Sequence, residues 1–233
     1  MLEEERKQWP EMLFRQEFEA EFVSEAGRVF RNVDKVVSNT LRDSTLNHHY
    51  TMGVDLAEVE DWTVITVADS ITKDIVYIDR FQKDYPVQKK MIEAVAGRYN
   101  NARVIIDATG VGKPIYEDLR ESGLFVEDYV FSGKSKTELI GKLIIFIEQG
   151  YIKIPNHEDL IAELKAYEYK YLNEKTGEPL KTIQYGAPSG MHDDLVTSLA
   201  LAVWGLDSNK PEPVNILKQR LQEKGNPNRE SFI

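Results

Sequence analysis

Thr51-Met52-Gly53-Val54-Asp55-Leu56 sets the reading of the whole chain. The run is largely apolar and ends on a carboxylate, so it predicts a buried strand with an acid at its carboxyl end. The same arrangement recurs in Val104-Ile105-Ile106-Asp107. A third acidic spot, Asp193-Asp194, opens the apolar run Leu195-Val196-Thr197-Ser198-Leu199-Ala200. A carboxylate at the end of a buried strand reaches bulk water poorly, and leaving it unpaired there is costly. Several such groups brought together repel one another. A divalent cation is the usual remedy, and hard cations such as magnesium take oxygen ligands. The pattern points to metal-assisted chemistry on phosphates.

Outward from this stretch, Thr63 to Ala68 and Ile75 to Phe81 read as two further strands with short polar turns between them, an antiparallel meander. Val87 to Tyr99 has helical spacing, and Arg103 to Asp107 is a fourth strand. Lys113 to Ser122 reads as a helix that tolerates Pro114 in its first turn. Phe125 to Phe131 is a fifth strand. Ser135 to Gln149, Glu158 to Tyr169 and His192 to Trp204 are helices. Tyr169 to Leu172 and Thr182 to Tyr185 flank Thr176-Gly177-Glu178-Pro179 as an extra β-hairpin. The order predicts an α/β fold: three antiparallel strands joined to two parallel ones in a mixed sheet, with helices on both faces. If the fourth strand pairs with the first, Asp107 becomes the neighbour of Asp55, in the crevice where strand order reverses.

Three segments follow from the shifts in composition. Residues 1–47 form an N-terminal connector, with a charged helical stretch over 2–24 and an irregular polar strap over 25–50. Residues 48–206 form the main domain, and 207–233 a polar tail with Pro211, Pro213 and Pro227. The apolar fraction of 42% supports a packed core. With no cysteine, disulfides, zinc–thiolate sites and cysteine nucleophiles are excluded. No apolar run is long enough to span a bilayer, which argues against a membrane partner. The net charge of −10, from 29 basic and 39 acidic residues, argues against binding nucleic acid through a basic surface. That objection weakens where acidic groups gather in a cation site.

Several stretches taken in order resemble the nuclease domain of phage terminase large subunits. They are Gly53-Val54-Asp55-Leu56-Ala57 with Asp61-Trp62-Thr63, Ile105-Ile106-Asp107-Ala108-Thr109-Gly110-Val111-Gly112, and His192-Asp193-Asp194-Leu195-Val196. Phe131-Ser132-Gly133-Lys134-Ser135-Lys136 and Phe14-Arg15-Gln16-Glu17-Phe18 fit the same family, the latter as its connector. The resemblance covers roughly residues 48–206 and implies a ribonuclease H-like fold. It implies a metal-dependent endonuclease that cuts double-stranded DNA with little sequence preference during genome packaging in the host cytoplasm. The implied partners are the ATPase motor domain of the same large subunit, the portal protein and the small terminase subunit. No phosphate-loop motif is present: Gly112-Lys113 runs into Pro114, and Asp107 and Asp128 stand where the first glycine would be needed. The chain therefore reads as a nuclease domain without its motor.

Two magnesium or manganese ions are the expected cofactors. Asp55 would bridge them, with Asp107 on one and Asp194 on the other. Each residue also has a plainer reading. Asp55 and Asp107 are possible turn formers, and Asp193 and Asp194 compete for a helix N-cap. The cap is assigned to Asp193 and the ligand to Asp194, with Asp193 and Asp61 as auxiliary ligands. Lys134, Lys136 and Lys113 are candidate DNA contacts, in polar loops beside helix starts. Two other readings of the chain stay open: a resolvase or strand-transfer enzyme of the same fold, and a non-catalytic scaffold.

Overall fold

A computed structural model of the protein describes residues 26–56, 62–107, 112–172 and 179–206. In chain order its elements begin with Ala26–Arg28 (β1), Val33–Val36 (α1), Val37–Ser38 (β2), Tyr50–Asp55 (β3), Thr63–Asp69 (β4) and Ile75–Phe81 (β5). Then come Tyr85–Arg98 (α2), Arg103–Asp107 (β6), Gly112–Glu121 (α3), Val126–Tyr129 (β7) and Gly133–Glu148 (α4). Ile154–Pro155 (β8), Glu158–Ala166 (α5), Glu168–Leu172 (β9), Pro179–Gly186 (β10) and Asp194–Trp204 (α6) complete the order.

The main sheet has five strands in the order β5-β4-β3-β6-β7. The β3–β4 and β4–β5 pairs are antiparallel, and the β3–β6 and β6–β7 pairs are parallel. This is the mixed sheet that the strand order predicts, with β3 at its centre. All of β4 is buried, and all of β3 except its last residue, Asp55, which is half-buried. Such continuous burial requires cover on both faces. Met52, Val54 and Val104 pack on one side against Ile92, Val95, Ile115 and Leu119 of α2 and α3. Val64 and Ile105 pack on the other side against α4, α5 and α6.

Gly53 decides how closely that second layer sits. A Cβ at Gly53 would lie 2.1 Å from the Ser198 carbonyl oxygen and 2.4 Å from the Ala202 nitrogen, so α6 rests directly on the β3 backbone. Polar bonds fix the seat. Ser198 Oγ donates to the Gly53 carbonyl at 2.9 Å and lies 2.9 Å from Thr66 Oγ1, and Thr51 Oγ1 donates to the Ala202 carbonyl at 2.8 Å.

The expected hairpin is present as β9 and β10, but it belongs to a three-stranded sheet of order β1-β9-β10. The strap read as irregular contains β1, which is antiparallel to β9, and β2, which is parallel to β8. Strands of two or three residues carry no periodicity of their own. Their partners, over a hundred residues away, define them. Val29, Phe30, Val33 and Val36 are buried and hold this stretch to the core. The charged stretch 2–24 and the tail 207–233 lie outside the described residues.

Candidate metal centre

The site follows from register. Val54 pairs with Ile106 in parallel, so Asp55 and Asp107, one residue further along, emerge at the same end of adjacent strands. On the other flank Asp55 pairs with Val64, and Val64 with Arg80. Residues opposite one another across a sheet share a face, so Asp55 and Arg80 share one, and it is the face that carries α6. Gly53 lets α6 lie against β3, and its first residue, Asp194, arrives at the end where Asp55 sits.

The electrostatics record the crowding. Burial pushes the Asp55 carboxyl well above the usual range, and the charges of Asp194, Asp107 and Asp193, in that order, push it further. Lys136 opposes them. The Lys136 ammonium lies 3.5 Å from Asp193 Oδ2, Arg80 Nη2 lies 3.4 Å from Asp194 Oδ2, and His192 Nδ1 lies 3.7 Å from the same oxygen. The Tyr167 hydroxyl is buried near Asp193 and Asp55 and finds no hydrogen-bond partner among the described residues. Desolvation, then these charges, raise its pKa well above that of an ordinary phenol.

Asp193 occupies the N-cap position of α6, but its side chain makes no capping bond. The expectation that its carboxylate caps the helix is corrected here. That carboxylate is drawn to Lys136, and the cap comes from Glu163 on α5. Glu163 Oε2 accepts from the Leu195 amide at 3.0 Å and the Val196 amide at 3.3 Å, and Oε1 lies 3.6 Å from Arg80 Nη1. Burial pushes the Glu163 carboxyl up to about 7, against the pull of the Val196 amide and Arg80. Lys134 and Lys136 are also relocated. They stand in the first turn of α4, not in a loop before it, because Ser132 and Ser135 form a capping box that starts the helix earlier. Lys134 is 86% exposed, with Glu138 at 3.8 Å. Lys113 lies at the start of α3, and Asp61 lies outside the described residues.

Sequence reading missed Arg80, Glu163 and Tyr167. Glu163 had a signal: it falls between Leu160 and Leu164 on the buried stripe of α5, where a charge needs a reason. Arg80 had a weaker one, and its role appears only with the pairing register.

The donor set is all oxygen, as hard cations prefer. Among the described residues, the charges of Asp194, Asp107 and Asp193 outweigh that of Lys136 at Asp55, and its raised pKa shows it. In charge and donor type the residues fit a divalent cation. Among the described residues, no three acidic or histidine side chains converge as a finished cage would.

Residues 52–204 match the family described as the Terminase RNaseH-like domain. Over 217 residues the chain is 30% identical to the terminase large subunit of Thermus virus P23-45, covering 85% of this chain and 44% of the relative. It thus spans less than half the length of the curated relatives it matches. It superposes with a TM-score of 0.68 on the large terminase nuclease from thermophilic phage G20c with bound magnesium, at 28% identity, covering 76% of this chain and 96% of that one. The same nuclease has been solved with cobalt and with zinc. The Thermus phage P74-26 large terminase nuclease domain superposes with a TM-score of 0.68 at 25% identity, covering 80% and 99%. A match that runs unbroken through β3, β6 and α6 puts this chain in the Terminase RNaseH-like domain family, with the fold of large terminase nucleases.

Proposed function

We propose that the chain is a metal-dependent endonuclease that cuts double-stranded DNA with little sequence preference as concatemeric genomes are packaged. The observation that carries this reading is Asp55: a carboxyl on the central strand, held far above its usual range by burial and three neighbouring aspartates. The structures of the related G20c nuclease with magnesium, cobalt and zinc support a divalent cofactor. Asp55, Asp107 and Asp194 would hold two magnesium or manganese ions, with Asp193 and Asp61 auxiliary. Bound ions of this kind supply Lewis-acid polarisation of a phosphodiester and a water of lowered pKa.

The chain's own residues do the rest. Asp55 stands between Asp107 on β6 and Asp194 on α6, so it is the group suited to be shared. Lys134 and the amides at the start of α4 offer contacts to backbone phosphates, with Lys136 and Lys113 as further cations. The acidic balance makes the isolated domain a weak DNA binder. In the whole large subunit the ATPase motor domain, with the portal and small subunit, would present the DNA in the host cytoplasm. On this reading, residues 1–47 connect motor to nuclease, 48–206 cut, and 207–233 form the tail.

The test is Asp55→Ala and Asp107→Ala, each assayed for plasmid cleavage with manganese or magnesium. Both variants are expected to melt cooperatively and to cut nothing, and chelator is expected to silence the native chain. Cleavage at the native rate by both folded variants would overturn the assignment.

A further inference from the structure

The Tyr167 side chain is wholly enclosed, yet its hydroxyl finds no hydrogen-bond partner among the described residues. Burying an O–H without an acceptor is costly. A phenylalanine would fill the same space without that cost, so packing alone gives no reason for the oxygen. Among the carboxylates, Asp193 bears on the hydroxyl most strongly and Asp55 next. Desolvation and these charges keep it protonated, so it stands beside the acidic cluster as a neutral donor.

The ring is held where it is. Tyr167 ends α5, whose Glu163 accepts from the first amides of α6, so this end of α5 is tied to the start of α6. The Tyr167 amide donates to the Glu163 carbonyl at 2.9 Å, and the Tyr167 carbonyl accepts from the Val29 amide at 3.0 Å. The Phe30 ring packs on it with centroids 5.5 Å apart. Asp193 is less firmly placed. Its side chain makes no capping bond, and Lys136 Nζ lies 3.5 Å from Oδ2. Charged hydrogen bonds are tight at about 2.7–2.9 Å. An ionised carboxylate accepts about four hydrogen bonds, so the Lys136 contact does not exhaust it.

We propose that Tyr167 is a positioning residue: when a divalent cation draws the Asp193 carboxylate toward Asp55, the Tyr167 hydroxyl donates to it and fixes its orientation at the metal. This rests on the metal-centre reading above. In the metal-free chain the hydroxyl makes no favourable bond, so its contribution falls on cation binding and not on folding. A core tyrosine with no such role would show neither half of that pattern.

The experiment is calorimetric titration of the full chain with manganese alone, paired with thermal melts in chelator. Tyr167→Phe is expected to melt no lower than the native chain and to bind manganese about ten- to a hundredfold more weakly. In an Asp193→Ala background the same change is expected to alter binding by less than about threefold, because the acceptor is gone. Native-like binding by Tyr167→Phe overturns the proposal. A melting temperature more than about 2 °C below native, or failure to fold, also overturns it, since the hydroxyl would then be holding the fold itself. A tenfold loss repeated in the Asp193→Ala background refutes the route through Asp193. Should Asp193→Ala bind no manganese, the single variant decides. Asp55→Asn separates the two levels. If it binds manganese normally, the metal-centre reading fails. If it does not, while Tyr167→Phe binds as the native chain does, only the role of Tyr167 fails.

Discussion

Gly53→Ala tests the seat on which the site depends. The added methyl would meet the Ser198 carbonyl oxygen at 2.1 Å, and ordinary contact begins at 3.4 Å, so α6 must retreat by about 1.3 Å. The obstacle is backbone and cannot swing aside. Overpacking of this kind costs about 1–3 kcal/mol. The retreat also strains the Ser198–Gly53 and Thr51–Ala202 bonds, each worth about 1 kcal/mol. A loss of about 3 kcal/mol lowers the melting temperature by roughly 6–12 °C in a chain of this size. Because Asp194 is the first residue of α6, the shift also carries it away from Asp55. A displacement of about 1 Å in a reacting constellation costs on the order of a hundredfold in rate. The assay pairs a thermal melt with manganese-supported plasmid cleavage on one preparation. Gly97→Ala in α2 and Gly141→Ala in α4 are the controls, since a Cβ at either meets nothing within 4 Å. Each is expected to be neutral or to stabilise by up to about 1 kcal/mol. If Gly53→Ala melts within about 2 °C of the native chain and cuts within about threefold of it, α6 is not seated as described.

Two further outcomes follow from the same groups. Asp55 and Glu163 both bind protons more readily folded than unfolded, so the metal-free chain is expected to lose stability as pH rises from the ordinary glutamate value of 4.5 toward 7. For Glu163 the shift corresponds to about 3 kcal/mol across that window. Urea unfolding in chelator at several pH values checks it, and stability that rises over this range would count against the burial of both carboxyls. Lys134→Ala is expected to weaken DNA binding at low salt and to reduce the slope of log affinity against log salt by about 1. An unchanged slope removes Lys134 from the phosphate contacts.

The strands of the main sheet were legible because each is a short apolar run ended by a turn or an acid. Their order alone predicted three antiparallel strands joined to two parallel ones. Asp55, Asp107 and Asp194 were legible for the same reason: an aspartate closing or opening a buried run is conspicuous. What the sequence hid is what tertiary packing decides. β1, β2 and β8 are too short to carry a pattern, and they exist through each other and through β9. Local rules nominate Asp193 as the cap of α6, but Lys136 lies over fifty residues away in sequence and outcompetes the local amide. The true cap, Glu163, reaches α6 from α5. Arg80 looks like any charged strand residue until the register sets it in one row with Asp55.

Those long-range contacts also explain why repulsion among the aspartates does not simply push them apart. At its amino end α6 is held by Glu163. At its carboxyl end the Trp204, Gly205 and Leu206 carbonyls accept from Lys142 at 3.0 Å, Arg103 at 3.3 Å and Lys73 at 3.4 Å. Anion at the start and cations at the finish complement the helix dipole, and Gly53 fixes the middle. A helix held at three places cannot drift to relieve the charges at its first turn, so the like charges around Asp55 stay together. On the proposed reading, relief comes from a proton on Asp55 or from a bound cation. The net charge of −10, which first argued against nucleic acid, then takes on a different meaning. A polyanion meets an uncompensated acidic cluster as a barrier and a cation-filled one as a docking point. On the proposed function, cation loading would govern substrate approach and chemistry through the same carboxylates.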